Sequence, residues 1–280
     1  MKFVLFLIVC SLAISAHGQY YFTDIVAQQQ SAQQYKLLVS KKIKEVKAVG
    51  YDPNEEITPG FSIEQTIKGD GKKIVTKTAI QGSSTTVLVN EYANGKLMNS
   101  ISSNVKDQTT VETTTVYTYN RNGSIASIAT NSSDTAVTAT NNSEIHIWQY
   151  NEHNIPSQML RIKSGHDTMR IVFTYDEKGY LAEEKWQKNG QITENYYYYY
   201  NDAGLLTDVV RYNSMARKLL PDFIYEYDAD GKVVKMIQSI KGGTDHLTWR
   251  YDYNENGLRQ TENCYSKQNQ FVGKVVYQYQ

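Results

Sequence analysis

The stretch Phe173-Thr-Tyr175-Asp-Glu-Lys-Gly179 carries two aromatic residues, an aspartate and a glycine at fixed positions, and this arrangement recurs along the chain, with Asn in place of Asp in four copies and Asn154 in place of Gly in one. Further copies occupy residues 117–123, 148–154, 198–204, 225–231 and 251–257. Successive copies start about 26 residues apart, Tyr277-Gln-Tyr279 begins another, and Tyr92-Ala-Asn-Gly95 is a degenerate earlier one. A constant period of this length is typical of repeat proteins, so the repeat decides the fold.

Each copy predicts a chain reversal between two β-strands. Aromatic residues two positions apart lie on the same face of a strand. The Asn or Asp that follows can bond to the backbone two residues on, and the glycine can adopt a positive φ without a Cβ clash. The predicted turn glycines are Gly123, Gly179, Gly204, Gly231 and Gly257. A second reversal, such as Lys188-Asn-Gly190, lies between successive copies, so each period predicts one β-hairpin.

Stacked hairpins predict an all-β protein, an antiparallel hairpin-repeat array that forms one long meander sheet. The repeats are clear from about residue 90, and the β-repeat domain is predicted to span 41–280. We expect roughly fourteen to eighteen strands in a sheet that twists or curls, since wide open sheets rarely stay flat. The Ser, Thr and Asn run at 131–143 is predicted to be an insertion within the longest repeat.

The first 18 residues are predicted to be a secretory signal peptide. Lys2 precedes an apolar run, and Ala16 and Gly18 suit cleavage before Gln19. The protein is therefore expected to be exported, to the periplasm, the cell surface or the extracellular space. Cys10 keeps a lipoprotein signal open as the minor alternative. No later run approaches about 20 apolar residues, so no transmembrane helix is expected after cleavage.

Residues 19–40 differ from the repeats, because they are rich in Gln and lack turn residues. They are predicted to form a short helix or an extended lead-in. Repeat arrays need an atypical terminal unit, so we expect this capping segment to cover the exposed edge of the first strands.

Composition limits the partners. The 29 basic and 29 acidic residues balance, which gives no electrostatic reason to expect nucleic acid as a partner. The 23 tyrosines favour half-buried strand surfaces. Once Cys10 is removed with the signal peptide, Cys264 is the only thiol, so no internal disulfide is expected.

The sequence offers little for catalysis, and the protein is predicted not to be an enzyme and to need no metal or cofactor. The histidines after the signal peptide follow no metal-ligand spacing; they are His146, His153, His166 and His246. Glu183 and Glu184 are adjacent and should face opposite sides of their strand, and Asp228 and Asp230 belong to a turn. A glycosidase-like pair of carboxylates is therefore not expected.

At residues 175–181, 200–206 and 227–233 the chain resembles the YD-repeat proteins, the rearrangement-hotspot and wall-associated class of exported bacterial proteins. Weaker copies at Tyr119, Tyr150 and Tyr253 extend the resemblance over about residues 90–280. The residue usage also resembles small exported proteins of Bacteroidota. The resemblance implies β-hairpin repeats and carries no catalytic residue across.

The favoured function is an exported binding or structural module that presents an aromatic-rich sheet surface to protein or polysaccharide at the cell envelope. The repeated rings are expected to form mainly core, with some left exposed as a platform. The candidate binding residues are Tyr197, Tyr199, Trp186 and Trp249. Two alternatives stay open: a secreted carbohydrate-active enzyme, and an outer-membrane β-barrel, which should show a continuous lipid-facing apolar belt.

Overall fold

A computed structural model of the chain describes residues 20–81, 84–106, 109–135, 142–213, 217–240 and 245–280. The predicted signal peptide and the minor lipidation site at Cys10 lie outside these residues. A π-helical turn, Phe22–Val26, leads into helix α1, Ala27–Ser40, and 18 strands follow. The first nine strands are β1 (Glu45–Tyr51), β2 (Ile57–Lys68), β3 (Lys73–Ala79), β4 (Thr85–Ala93), β5 (Lys96–Lys106), β6 (Thr109–Tyr119), β7 (Ile125–Asp134), β8 (Asn142–Tyr150) and β9 (Pro156–Lys163). The other nine are β10 (Asp167–Tyr175), β11 (Leu181–Lys188), β12 (Gln191–Tyr200), β13 (Leu206–Asn213), β14 (Lys218–Tyr227), β15 (Val233–Ser239), β16 (His246–Tyr253), β17 (Arg259–Tyr265) and β18 (Phe271–Tyr279).

The strands form one closed antiparallel β-barrel. Each strand pairs with its neighbours in sequence, and β1 pairs with both β2 and β18. The carbonyl of Lys44 accepts a hydrogen bond from the Ile67 N–H at 2.9 Å, and Glu45 and Gln280 exchange backbone bonds of 3.0 and 2.9 Å. None of the 18 described strands is left at an edge. The predicted open meander is therefore wrong, because strand twist brings the first and last strands together, and their pairing satisfies backbone groups that an open edge would expose.

The described chain divides into two compact units. One contains helix α1 with residues 48–58 and 197–278, and the other contains residues 42–47, 59–196 and 279–280.

The repeat turn is held by its acidic or amide side chain. In the copy at 173–179, Asp176 Oδ1 accepts the backbone N–H groups of Lys178 at 2.9 Å and Tyr180 at 2.8 Å. Gly179 has a φ of +83° and donates its N–H to the Asp176 carbonyl at 3.0 Å. A side chain at such a φ would be strained, which explains the recurrent glycine. The other turn glycines, Gly123, Gly204, Gly231 and Gly257, also have positive φ, between +74° and +94°.

Two further turns of the same kind lack the glycine: the sequence pattern did not reveal the turn at Asp52, whereas a reversal was predicted at 266–269. Asp52 Oδ1 accepts the N–H groups of Asn54 and Glu56, and Glu55 takes the left-handed conformation at φ +62°. In the turn between β17 and β18, the Ser266 hydroxyl accepts the Gln270 N–H at 3.3 Å. Side-chain bonds to the backbone can therefore hold this turn without the glycine.

The N-terminal segment is helical and packs on aromatic rings of the sheet. The Phe22 ring stacks on Phe223 with ring centres 5.1 Å apart, and Tyr21 meets the Tyr198 ring edge-on at 5.9 Å. Leu38 is also buried. The segment thus packs aromatic residues on rings of β12 and β14, and its role as a terminal cap stays a prediction. Within the described residues, no helix combines the length and hydropathy needed to cross a membrane.

The predicted insertion at 131–143 is partly strand. Strand β7 continues to Asp134 and β8 begins at Asn142, while 136–141 lie outside the described residues. Cross-strand hydrogen bonds such as Thr113 to Ser132, at 2.9 Å, let this Ser- and Thr-rich sequence remain in the sheet.

Candidate functional site

The strands alternate between a buried and an exposed face. Met159, Ile171 and Val209 have no exposed surface, whereas the residues that follow them in sequence are half-buried. The cross-strand register joins Met159 to Ile171, so these side chains lie on the same face. A closed sheet has one inner and one outer face, and we name the buried face the inner face.

The first aromatic residue of most repeats lies on the inner face and belongs to the core. Trp148 and Phe173 stack with ring centres 5.2 Å apart and planes inclined by 5°. The buried ring positions are Trp148, Phe173, Tyr198, Tyr225 and Tyr251. These rings are consequently covered and do not form an open platform.

The second tyrosine of the repeat bonds one copy to the copy before it. Its hydroxyl donates to a backbone carbonyl about 20 residues earlier in the chain. The pairs are Tyr119 to Leu97 at 2.7 Å, Tyr150 to Ile125 at 2.8 Å, Tyr175 to Pro156 at 2.6 Å, Tyr227 to Leu206 at 2.6 Å and Tyr253 to Val233 at 2.8 Å. This tyrosine ladder explains why the position carries a phenol, because phenylalanine would leave each carbonyl without this donor.

Removing one hydrogen bond of the tyrosine ladder should lower the stability of the fold measurably. Tyr253→Phe deletes only the hydroxyl that bonds to Val233 and is expected to lower the free energy of unfolding by about 0.5–1.5 kcal/mol. Tyr199→Phe is the control, because that side chain is 47% exposed and should tolerate the change. Equal effects of the two variants in urea titrations would show that the ladder does not stabilise the stacked repeats.

The four predicted binding residues fall on opposite faces. Trp186 and Trp249 are only 6% and 3% exposed, and Trp186 Nε1 donates to Glu184 at 2.7 Å. Neither tryptophan ring therefore forms part of an exposed surface. Tyr199 is exposed on the outer face, and Tyr197 on the same face is half-buried.

The carboxylates weighed for catalysis have structural contacts. Glu183 pairs with Lys185 at 2.6 Å, whereas Glu184 is fully buried on the other face. Asp228 Oδ1 accepts two backbone N–H groups of its turn, at 3.0 and 2.8 Å. Among the residues that the structure describes, no group of three or more His, Cys, Asp or Glu side chains is placed to hold a metal ion. The absence of enzyme activity stays a prediction.

A feature that the sequence pattern did not reveal is an uncharged polar region of the inner face, which we name the polar wall. It consists of two cross-strand rows between β2 and β7. The first row crosses β4–β7 through Asn90, Ser100, Thr115 and Thr130, and the second crosses β2–β7 through Gln65, Thr76, Leu88, Ser102, Thr113 and Ser132, so that Leu88 is its one apolar member. Hydroxyls pair across the strands, Thr113 with Ser132 at 2.9 Å and Thr115 with Thr130 at 3.1 Å. These four side chains are half-buried and keep part of their surface accessible.

The first row of the polar wall continues into a charged cluster on β8–β11. Glu144, the cross-strand partner of Thr130, contacts His146 at 2.9 Å and Arg161 at 3.0 Å. Asp167 pairs with Lys188 at 2.6 Å. Opposite charges thus balance within this cluster, and they lie beside the uncharged wall.

The outer face carries both aliphatic and charged side chains. A row of aliphatic side chains crosses β6–β9 through Val116, Ala129, Ile145 and Ile162. Ion pairs occupy the same face elsewhere. They join Lys73 to Glu91 at 3.3 Å, Lys185 to Glu183 at 2.6 Å and Lys235 to Glu226 at 2.6 Å. A continuous apolar belt is therefore absent from the described strands.

Solved structures resemble the chain at low sequence identity. A porin-like protein from Bacteroides uniformis shares 10% identity, with 85% of this chain and 96% of that chain covered and a TM-score of 0.45. A porin-like protein from Bacteroides vulgatus shares 12% identity over 85% of this chain and 98% of that chain, with a TM-score of 0.28. The Tc holotoxin pore of Photorhabdus luminescens shares 12% identity over 76% of this chain and 13% of that chain, with a TM-score of 0.30.

No protein-family model matches the chain, and no curated protein sequence matches it. The resemblance to YD-repeat proteins therefore rests on the repeated residues alone.

Proposed function

We propose that the protein is a β-barrel of the cell envelope and that it resides in the outer membrane. The observation that carries this proposal is closure of the antiparallel sheet, in which β1 pairs with β18 as well as with β2. A bilayer offers no water to bond backbone groups, so among β-structures only closed barrels satisfy their backbone within it. An even number of antiparallel strands with short turns is also typical of this class.

Strand length and the polar wall of the inner face agree with the proposal. The strands contain 7 to 12 residues, near the roughly 9–11 that a tilted transmembrane strand needs. The polar wall provides uncharged hydrogen-bonding groups inside the barrel, as expected of a wetted interior. The aliphatic row through Val116 and Ile145 offers an outer surface to acyl chains.

The outer-face ion pairs favour a second candidate, an exported water-soluble barrel that binds protein or polysaccharide at the envelope. A lysine that faces lipid near the bilayer midplane costs about 2–4 kcal/mol. Lys185 and Lys235 lie on the outer face within their strands, paired with Glu183 and Glu226. Water accommodates such pairs at almost no cost.

Fractionation of cells that express the full chain decides between the two candidates. A membrane barrel should stay with the outer-membrane pellet after carbonate washing and should need detergent for release. Ile145→Lys, on the aliphatic row, should reduce the amount recovered in that pellet, whereas Ser143→Lys near the strand end should not, because the cost of a lipid-facing charge falls towards the interface. Recovery of the unmodified chain in the soluble periplasmic or extracellular fraction would contradict the membrane proposal and support the second candidate.

A further inference from the structure

We propose that the polar wall is a binding site for a neutral, hydroxyl-rich ligand, an oligosaccharide. This inference goes beyond the location of the protein, because a wall on the inner face can bind such a ligand in either candidate. It also differs from a platform on the outer face near Tyr197 and Tyr199, since it uses the opposite side of the sheet and hydroxyl groups in place of rings.

The absence of ionised groups from both rows of the polar wall defines the class of ligand. The second row, from β2 to β7, and the first row, from β4 to β7, contain hydroxyl and amide side chains and Leu88, and no ionised group; on β2 and β3 the first row continues as the apolar residues Ile67 and Ile74. On the same face, ionisable side chains adjoin the two rows at Asp134 on β7, two residues beyond Ser132, and at Glu144 on β8, the cross-strand partner of Thr130. An ionic ligand on this wall would lose hydration without gaining a counter-charge, whereas a neutral ligand exchanges hydrogen bonds with water for hydrogen bonds with the wall.

The hydroxyl pairs keep capacity for a ligand. A hydroxyl has one donor and two acceptor positions. When Thr113 bonds to Ser132, or Thr115 to Thr130, the pair uses one donor and one acceptor, so one O–H and further lone pairs remain. Sugar hydroxyls are also donors and acceptors at once, so both kinds of remaining group find partners.

Asn90 supports the proposed site independently, because its side-chain oxygen is buried and lacks a hydrogen-bond donor among the residues that the structure describes. Its side chain is only 6% exposed, and its Oδ1 atom accepts no hydrogen bond from any described group. Asn90 lies in the first row beside Ser100, which is also buried. A buried acceptor without a donor destabilises the fold, and an O–H group of a bound ligand would supply the missing donor.

Calorimetric titration of the mature full chain with three soluble hexamers tests the inference. The probes are neutral maltohexaose, an acidic galacturonic acid hexamer and a cationic glucosamine hexamer. We expect maltohexaose to bind more tightly than either charged probe. The double variant Thr113→Val with Thr115→Val should weaken maltohexaose binding at least about tenfold, because it removes one hydroxyl from each pair.

The matched control changes the other face of the same strand. Thr114 and Thr118 lie on the outer face of β6, and Thr118 bonds to Ser127 at 2.7 Å much as Thr113 bonds to Ser132. Thr114→Val with Thr118→Val should leave the affinity within about twofold of the unmodified protein. Thr113→Ser with Thr115→Ser keeps both hydroxyls and should retain binding. If the inner double variant does not fold, the double variant Ser132→Ala with Thr130→Val is used instead, because it removes the partner hydroxyls of the same two pairs.

Three results would overturn the inference: no binding of maltohexaose at millimolar concentration, tighter binding of a charged hexamer, or equal losses in the inner and outer variants. A membrane-resident protein that binds none of the hexamers would remove this site and leave the proposed function intact. A soluble protein that binds maltohexaose through Thr113 and Thr115 would support the binding site and contradict the proposed location in the outer membrane.

Discussion

Replacing Ile171 with alanine is expected to lower the free energy of unfolding by about 2–5 kcal/mol. Ile171 is fully buried on the inner face of β10, and its cross-strand partners are Met159 and Trp186. Truncation leaves a cavity among large side chains that close packing prevents from collapsing completely. Urea titration of the purified protein, followed by tryptophan fluorescence, measures the loss.

Val172→Ala is the matched control. Val172 is the next residue of the same strand, and it points to the outer face and is half-buried. Its truncation should cost less than about 1 kcal/mol, because substitutions away from the packed core usually have small effects. A larger loss at Val172 than at Ile171 would mean that the inner and outer faces have been assigned the wrong way round.

The local architecture could be predicted from the sequence because the residues that form the turns make hydrogen bonds with residues close to them in the chain. Asp176 and Gly179 fix a reversal through bonds that span four residues, and the same chemistry recurs about every 26 residues. Tyr175 and Phe173 share a face for the elementary reason that strands alternate. The all-β class and the hairpin repeat can therefore be predicted from the sequence alone.

Closure of the sheet could not be predicted in the same way. It depends on Lys44 and Glu45 meeting Ile67 and Gln280, and the contact with Gln280 joins opposite ends of the chain. No local motif marks such a contact, because the pairing is set by twist accumulated over all 18 strands. The helix position is similarly non-local, since Phe22 meets Phe223 about two hundred residues later.

The candidate site was hard to predict because the inward and outward alternation of side chains is interrupted at the repeat turn. The register shifts between Thr174 and Tyr175, so the inward face of the next strand cannot be counted through the turn. Trp186 lies on such an outgoing strand, and only the structure places it inside. The polar wall escaped notice because Thr113, Thr114 and Thr115 put the same side chain on both faces of β6, which removes any alternation.

Removing the guanidinium of Arg259 should destabilise the protein strongly. Glu262 is 3% exposed and is held by Arg259 Nη1 at 2.7 Å and by the Tyr277 hydroxyl at 3.1 Å. The Arg259 guanidinium also lies 4.2 Å from the centre of the Tyr251 ring. Arg259→Met leaves a buried carboxylate without its counter-charge, and such losses are about 3–5 kcal/mol. Because the Arg259 side chain is 26% exposed, the lower end of that range is expected.

A second substitution separates the loss of charge from the loss of packing. Glu262→Gln in the Arg259→Met background removes the unpaired charge and keeps an oxygen that can accept from Tyr277. The double variant should therefore unfold at a higher urea concentration than Arg259→Met alone. If the double variant is instead as unstable as the single one, the arginine stabilises this part of the sheet through its contact with Tyr251, and the ion pair with Glu262 contributes little. The coupling between the two substitutions thus measures what the buried carboxylate costs when it is left alone on the inner face.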